Sequence, residues 1–246
     1  MNTITPDLKT EHKRSALADY FKEIIYGGID GIVTTFAVVA GFAGAALSSD
    51  TTTQISFLIV LLFGLANLFA DAASMGLGNF LSVRSEQDQY EVARKKESLL
   101  VQANPHDEME ETISIMVAKG FTETDARSLA AIYSTNHEYW VDFMMQHELE
   151  MADPRGENPV FTGLATFGSF LLFGSIPLLP FMLDSAGDAR EAFLYSVLGT
   201  FLALIALGLL KWRVIGANLS KSLIEVTLVG SVAAGIAYFV GTFFAL

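Results

Sequence analysis

The stretch ISFLIVLLFGLANLFADAASMGLGNFLS, residues 55–82, decides the fold. A helix crosses the hydrocarbon core of a bilayer with about 20 predominantly apolar residues. This run is longer than that and contains a single charged residue, Asp71. Its excess length predicts a helix that continues past the membrane into the polar sequence beyond it. Four more runs reach spanning length, at 25–47, 159–183, 192–211 and 222–245. The expected fold is therefore all-α, a polytopic membrane protein with five transmembrane helices and a helical domain between the second and third spans. The expected divisions are an N-terminal tail at 1–24, spans one and two within 25–85, the insert at 86–158, and spans three to five within 159–246.

Composition agrees. The 246 residues are 52% hydrophobic and 17% charged, with the apolar residues gathered into runs. The chain has no cysteine, which excludes disulfides, zinc–thiolate sites and thiol catalysis. A formal net charge of −12 argues against a nucleic-acid partner, because a phosphate backbone needs a basic face. Residues 1–24 are polar and lack the apolar stretch of a signal peptide, so the first run is expected to be an uncleaved span.

Orientation follows from the basic residues. Of the 15 Lys and Arg, all but Arg190 fall in the N-terminal tail, the insert region or the connection between the fourth and fifth runs. The positive-inside rule then predicts a cytoplasmic N-terminus and insert, with the C-terminus on the far side.

The insert is acidic, with sixteen Asp or Glu against six Lys or Arg. NPHDEMEETISIMVAKGF reads as a helix entered at Pro105 and closed by Gly120. TETDARSLAAIYS begins with a cap at Thr122 and an acid at Asp125. YWVDFMMQHELEM, residues 139–151, falls on the last helix of the insert.

Helical spacing puts Met144, Met145 and Glu148 on one face, with Glu150 and Met151 at its edge. Glu108 and Glu111 share a face of an earlier helix, and Glu91 and Glu97 lie on the extension of the second span. Brought together, these side chains form a carboxylate cluster with added thioether sulfur. Carboxylate suits hard divalent ions and sulfur shifts preference toward softer first-row metals, so Fe²⁺ fits better than Mg²⁺ or Ca²⁺. Methionine at this spacing also serves as core packing, and acids on a small helical domain also form a solvated face. The pattern alone leaves both readings open.

Acids inside a span are costly and mark function by default. Asp30 in GGIDGIVTTFAVVAG and Asp71 in ANLFADAASMGLGNF come out in the same half of the bilayer at about 1.5 Å per residue. Asn67, Asp71 and Met75 stack at four-residue steps on one face of the second span. Such a set suits a cation path, with carboxylates replacing lost hydration and exchanging protons for metal; it also suits a structural hydrogen bond. Glu225 and Lys221 read as a structural pair. Gly27 and Gly31, with Gly41, Gly44, Gly76 and Gly78, permit close helix approach or dimerisation. Pro177 and Pro180 should kink the third span.

The segments GGIDGIVTTFAVVAGFAGA, GLANLFADAASMGLGNFLSVRSE, WVDFMMQHELE and GSIPLLPFML, in this order, resemble the vacuolar iron transporter family across nearly the whole chain. The resemblance implies a five-helix homodimer that exports Fe²⁺, and often Mn²⁺, from the cytosol in exchange for protons. It implies a path lined by the first two spans at the dimer interface, with Asp30 and Met75 on the family's first-span aspartate and second-span methionine. It places Glu97, Glu108, Glu111, Met144, Met145 and Glu148 on insert ligands. Leu100 stands where another glutamate is expected, and Asn67 where some members carry an acid, a role that Asp71 one turn away can take.

The expected partners are the lipid bilayer, protons and divalent ions, with Fe²⁺, Mn²⁺, Zn²⁺ or Co²⁺ as substrate and no prosthetic group. A bacterial plasma membrane and a vacuole-like organelle membrane both leave the insert in the cytosol. Two other readings are a membrane-anchored metal sensor and a carboxylate ferroxidase. Ferritin-like sites usually need Glu-x-x-His, and none of His12, His106, His137 and His147 has Glu three residues before it.

Overall fold

The computed structural model describes residues 20–46, 53–183, 189–216 and 218–243. All regular structure in these residues is helical. The α-helices are α1 (Phe21–Ala46), α2 (Thr53–Ala103), α3 (Pro105–Ala118), α4 (Glu123–Tyr133), α5 (His137–His147), α6 (Pro159–Gly174), α7 (Leu179–Leu183), α8 (Ala189–Ile215) and α9 (Leu219–Phe243). Short 3₁₀ turns lie at Pro154–Gly156 and Ile176–Leu178. Five helical stretches are long and apolar enough to cross a membrane, beginning at Phe21, Leu58, Pro159, Glu191 and Leu219. The chain divides into two units, one of residues 1–80 with 160–246 and one of Leu81–Pro159.

In the first unit α1 packs against α8 and α9. Ile32 of α1 joins Ala203, Leu204 and Leu207 of α8 and Val226 of α9 in one buried cluster. Glycine lets α6 approach two helices at once. A Cβ on Gly31 would lie 2.5 Å from the Phe170 carbonyl oxygen, and one on Gly163 would lie 2.6 Å from that of Gly76. Neither position admits a side chain, so the Gly27/Gly31 step expected to pack helices does so against α6. A Cβ on Gly41 or Gly78 would meet no other part of the described residues within 4 Å, and the surroundings of Gly44 lie outside the described residues.

The third span is broken outright. Pro177 has no N–H, so α6 stops at Gly174, and the chain makes a 3₁₀ turn before the short α7. The Ser196 hydroxyl of α8 donates to the Pro177 carbonyl at 2.7 Å and covers part of the exposed backbone. Glu225 pairs chiefly with Lys211 of α8, at 2.6 Å, with Lys221 at 3.9 Å. The sequence neighbour is the weaker partner.

In the second unit the expected helix ends are present. Gly120, at φ +102°, closes α3, and Gly120 N–H and Phe121 N–H donate to Val117 and Met116 carbonyls at 2.9 and 3.2 Å. That paired closure uses a left-handed residue that glycine adopts without strain. Thr122 caps α4 by accepting from Asp125 N–H at 3.2 Å. The extended α2 is tied to α5 by Arg94, which donates to Asp142 at 2.9 Å and Glu138 at 2.7 Å. Gln87 holds the returning chain by donating to the Pro154 and Glu157 carbonyls at 3.0 and 2.9 Å.

Candidate functional site

The apolar part of α2 ends before Arg84, and the helix then carries dense charge through Lys96. Glu97 therefore lies beyond the apolar run, on a stretch whose inner face is set by Tyr90 and Val101, each 2% exposed. Glu108 sits in the first turn of α3, after the Asn104–Pro105 entry. Glu148 caps the C-terminus of α5, where its N–H donates to the Met144 carbonyl at 2.9 Å. The three side chains come from three helices, yet one carboxylate oxygen of each lies within 4.8 Å of the others.

Each of the three has a buried oxygen, Glu97 Oε1, Glu108 Oε2 and Glu148 Oε2, with no hydrogen-bond partner among the described residues. Unpaired buried carboxylate oxygens are expensive, and three at one point repel each other as well. Burial, then the charges of Glu148 and Glu108, pushes the Glu97 carboxyl up to about 7. Glu108 is raised by burial and then by Glu111, and Glu148 by burial and then by Glu111 and Glu108. A proton or a divalent cation placed among the three oxygens would relieve this repulsion. The donor set is all oxygen, which suits hard and borderline divalent ions.

The other expected insert residues are placed differently. Glu111 is exposed and acts on the three as a nearby charge. Met144 and Met145 are both fully buried in a core cluster with Tyr90, Val101, Trp140 and Val141. This is the packing role that methionine spacing left open. Met144 sulfur also lies 3.3 Å from the Thr112 hydroxyl, which donates to the Glu108 carbonyl at 2.8 Å and accepts from Trp140 Nε1 at 2.8 Å. One thioether is thus one turn from a cluster glutamate. Leu100, where the resemblance expects an acid, is half-buried.

In the spanning unit Asp30, Asn67, Asp71 and Met75 are all half-buried. Asn67 Nδ2 donates to Asp71 Oδ2 at 2.8 Å, across one helical turn. The Asp71 charge is within electrostatic range of Asp30 on α1. Asn67 also lines an open groove of about 620 Å³ between α1 and α2, with Gly41, Phe42 and Phe63. Met75 packs against the buried cluster around Leu68, Ala72 and Phe170. Sequence reading missed Asn79, whose amide donates to the Thr166 hydroxyl of α6 at 2.7 Å. Its position on α2 four residues beyond Met75 was visible, but its partner lies on another helix.

Together these features define a class: five-span helical membrane proteins with a carboxylate cluster on a helical unit between the second and third spans, and acids within the first two. The chain belongs to the VIT family, whose model matches residues 21–242. It is 35% identical over 246 residues to a vacuolar iron transporter of Toxoplasma gondii, covering 97% of this chain and 78% of that protein. It is 32% identical over 226 residues to vacuolar iron transporter 1 of Arabidopsis thaliana, covering 92% and 86%. A vacuolar iron transporter of Plasmodium berghei is 31% identical over 242 residues, covering 96% and 85%. These relatives are named as transporters, not as enzymes.

Proposed function

We propose that this protein is a proton-coupled antiporter that exports Fe²⁺, and also Mn²⁺, from the cytosol. The observation that carries the reading is the convergence of three unpartnered carboxylate oxygens from Glu97, Glu108 and Glu148. Iron as the substrate is supported by the names of the relatives. In this reading the three glutamates take the ion and Glu111 adds charge from the surface, while Met144 and Met145 pack the core behind them. The excess of Lys and Arg in the tail and insert supports a cytoplasmic placement for both. A vacuole-like organelle membrane is the proposed location.

Within the membrane, Asp30 and Asp71 alternate between metal-bound and protonated states, with Met75 and Asn67 on the same path. A carboxylate that releases metal takes up a proton from the far side, so an inward proton gradient drives metal outward. Open Gly41 and the groove between α1 and α2 support a homodimer that meets along these helices. The test is metal uptake by proteoliposomes under an imposed pH gradient, with a panel of Fe²⁺, Mn²⁺, Co²⁺ and Zn²⁺. The expected result is uptake that reverses with the gradient. Flux that ignores the gradient rejects the coupling, and metal binding without flux would favour a sensor.

A further inference from the structure

One face of the charged stretch of α2 fastens the returning chain of the second unit. Gln87, Tyr90, Arg94, Glu97 and Val101 follow one another at steps of three and four, so they stand in a row along the helix. Tyr90, Glu97 and Val101 are buried, and the Arg94 side chain is only 17% exposed. Gln87 holds the Pro154 and Glu157 carbonyls, and the Arg155 guanidinium lies 5.2 Å from the centre of the Tyr90 ring. Arg94 stands between these contacts and Glu97, and both of its partners are on α5.

Two kinds of force hold α5 against α2, and they do different things. Tyr90 and Val101 of α2 share a buried cluster with Trp140, Val141, Met144 and Met145 of α5. Apolar burial is non-directional, so it keeps α5 on α2 without setting its place along the row. The Arg94 fork is directional. Its Nε donates to Asp142 Oδ1 at 2.9 Å and its Nη2 to Glu138 Oε2 at 2.7 Å, which pins two carboxylates one turn apart on α5. A neutral contact of 2.9 Å between Ser98 and His137 adds to this at the first residue of α5.

Glu148 lies at the far end of the same helix. α5 runs unbroken for 11 residues, and Glu148 N–H is bonded to its last turn, so a slide at Asp142 is passed on to Glu148. One residue of helical rise is about 1.5 Å. Oxygen-to-metal distances tolerate only about a few tenths of an ångström. Glu97, one turn beyond Arg94 on α2, is the other half of that register. Charge is not the means, because Arg94 is already paired with two acids and the cation whose charge acts on Glu148 is Lys96.

We propose that Arg94 is a positioning residue for the insert site, its bonds to Glu138 and Asp142 setting the register of α5 on α2 that brings the Glu148 carboxylate to those of Glu97 and Glu108. The proposal rests on the reading of these three glutamates as metal ligands. Glu138 and Asp142 are largely open to solvent, and such ion pairs add little to stability. Arg94 therefore governs where α5 sits more than whether it folds.

Titration of Mn²⁺ into the full-length protein in detergent, read by paramagnetic resonance, tests this. The sign of the change separates placement from charge. Removing a positive charge beside a cation site tightens binding if charge alone matters. Arg94→Gln should instead weaken Mn²⁺ binding at the insert by about tenfold, the scale seen when a residue that orients a metal ligand is lost. Its unfolding midpoint, followed by Trp140 fluorescence, should stay near that of wild type. Arg94→Lys keeps the charge and gives up the fork, so it should weaken binding as well, and it decides the matter if Arg94→Gln does not fold. Made in an E148Q background, Arg94→Gln should cost no further affinity, because the carboxylate it places is already gone. Unchanged or tighter binding in the Arg94 variants, or an equal loss in the E148Q background, overturns the proposal. Wild-type affinity in E148Q alone removes the metal reading and the proposal together, whereas a loss in E148Q with none in the Arg94 variants removes the proposal alone.

Discussion

Glu97, Glu108 and Glu148 reach one point from α2, α3 and the end of α5, and each has a buried oxygen without a hydrogen-bond partner among the described residues. In the spanning unit, by contrast, Asp71 already accepts a 2.8 Å bond from Asn67, and Asp30 is only within range of its charge. The first group is left with unbalanced charge; the second already has part of its hydrogen bonding in place. A site that must hold a cation tightly tolerates unpaired oxygens when empty. A site that must release one benefits from a partner that steadies the carboxylate afterwards. On the proposed reading, the insert collects metal and the paired aspartates pass it on.

Replacing all three insert glutamates, as E97Q/E108Q/E148Q, breaks the comparison most severely. Metal affinity of the insert site should drop more than about 100-fold, the equivalent of roughly 2.8 kcal/mol. Titration of Mn²⁺ followed by its paramagnetic resonance reads this directly, and unchanged affinity would place the binding elsewhere. Asn67→Ala removes the steadying bond from Asp71 and should slow flux by about tenfold, on the scale of one hydrogen bond to a charged group. It should leave Mn²⁺ binding at the insert untouched.

The third prediction concerns proton linkage in the metal-free protein. Glu97, Glu108 and Glu148 are all raised, so the folded insert binds more protons than the unfolded chain. That stabilisation is complete below the ordinary glutamate value of 4.5 and is lost as pH rises through about 7. The unfolding midpoint of metal-free protein, followed by the fluorescence of buried Trp140, should therefore fall between pH 5 and pH 8. Saturating Mn²⁺ should reverse the fall at pH 8, and E97Q should flatten it. Least affected is Glu111→Gln, because an exposed charge contributes only about 0.5 kcal/mol, or two- to threefold in affinity.

Much of this was legible before the coordinates. Five spans followed from hydropathy and length, and the long second run did continue, as one helix from Thr53 to Ala103. Caps at Pro105, Gly120 and Thr122 depend on residues a few positions apart, which a sequence displays. Long-range pairings were not legible. Lys211 bonds Glu225 more closely than Lys221 does because the α8–α9 packing brings it there. Helical periodicity placed Met144, Met145 and Glu148 on one face, yet the core took the methionines while the helix end carried Glu148 outward to the other acids. Periodicity defines a face but not what the face meets. The two prolines predicted a kink, and Pro177 instead produced a full interruption with a 3₁₀ turn, while Pro180 fits into the first turn of α7.

The most direct test of the account is the behaviour of Asp30→Asn in proteoliposomes, with Mn²⁺ binding and pH-driven flux measured on the same preparation. The account predicts that flux is abolished while binding at Glu97, Glu108 and Glu148 stays at the wild-type level. Wild-type flux in this variant would contradict it.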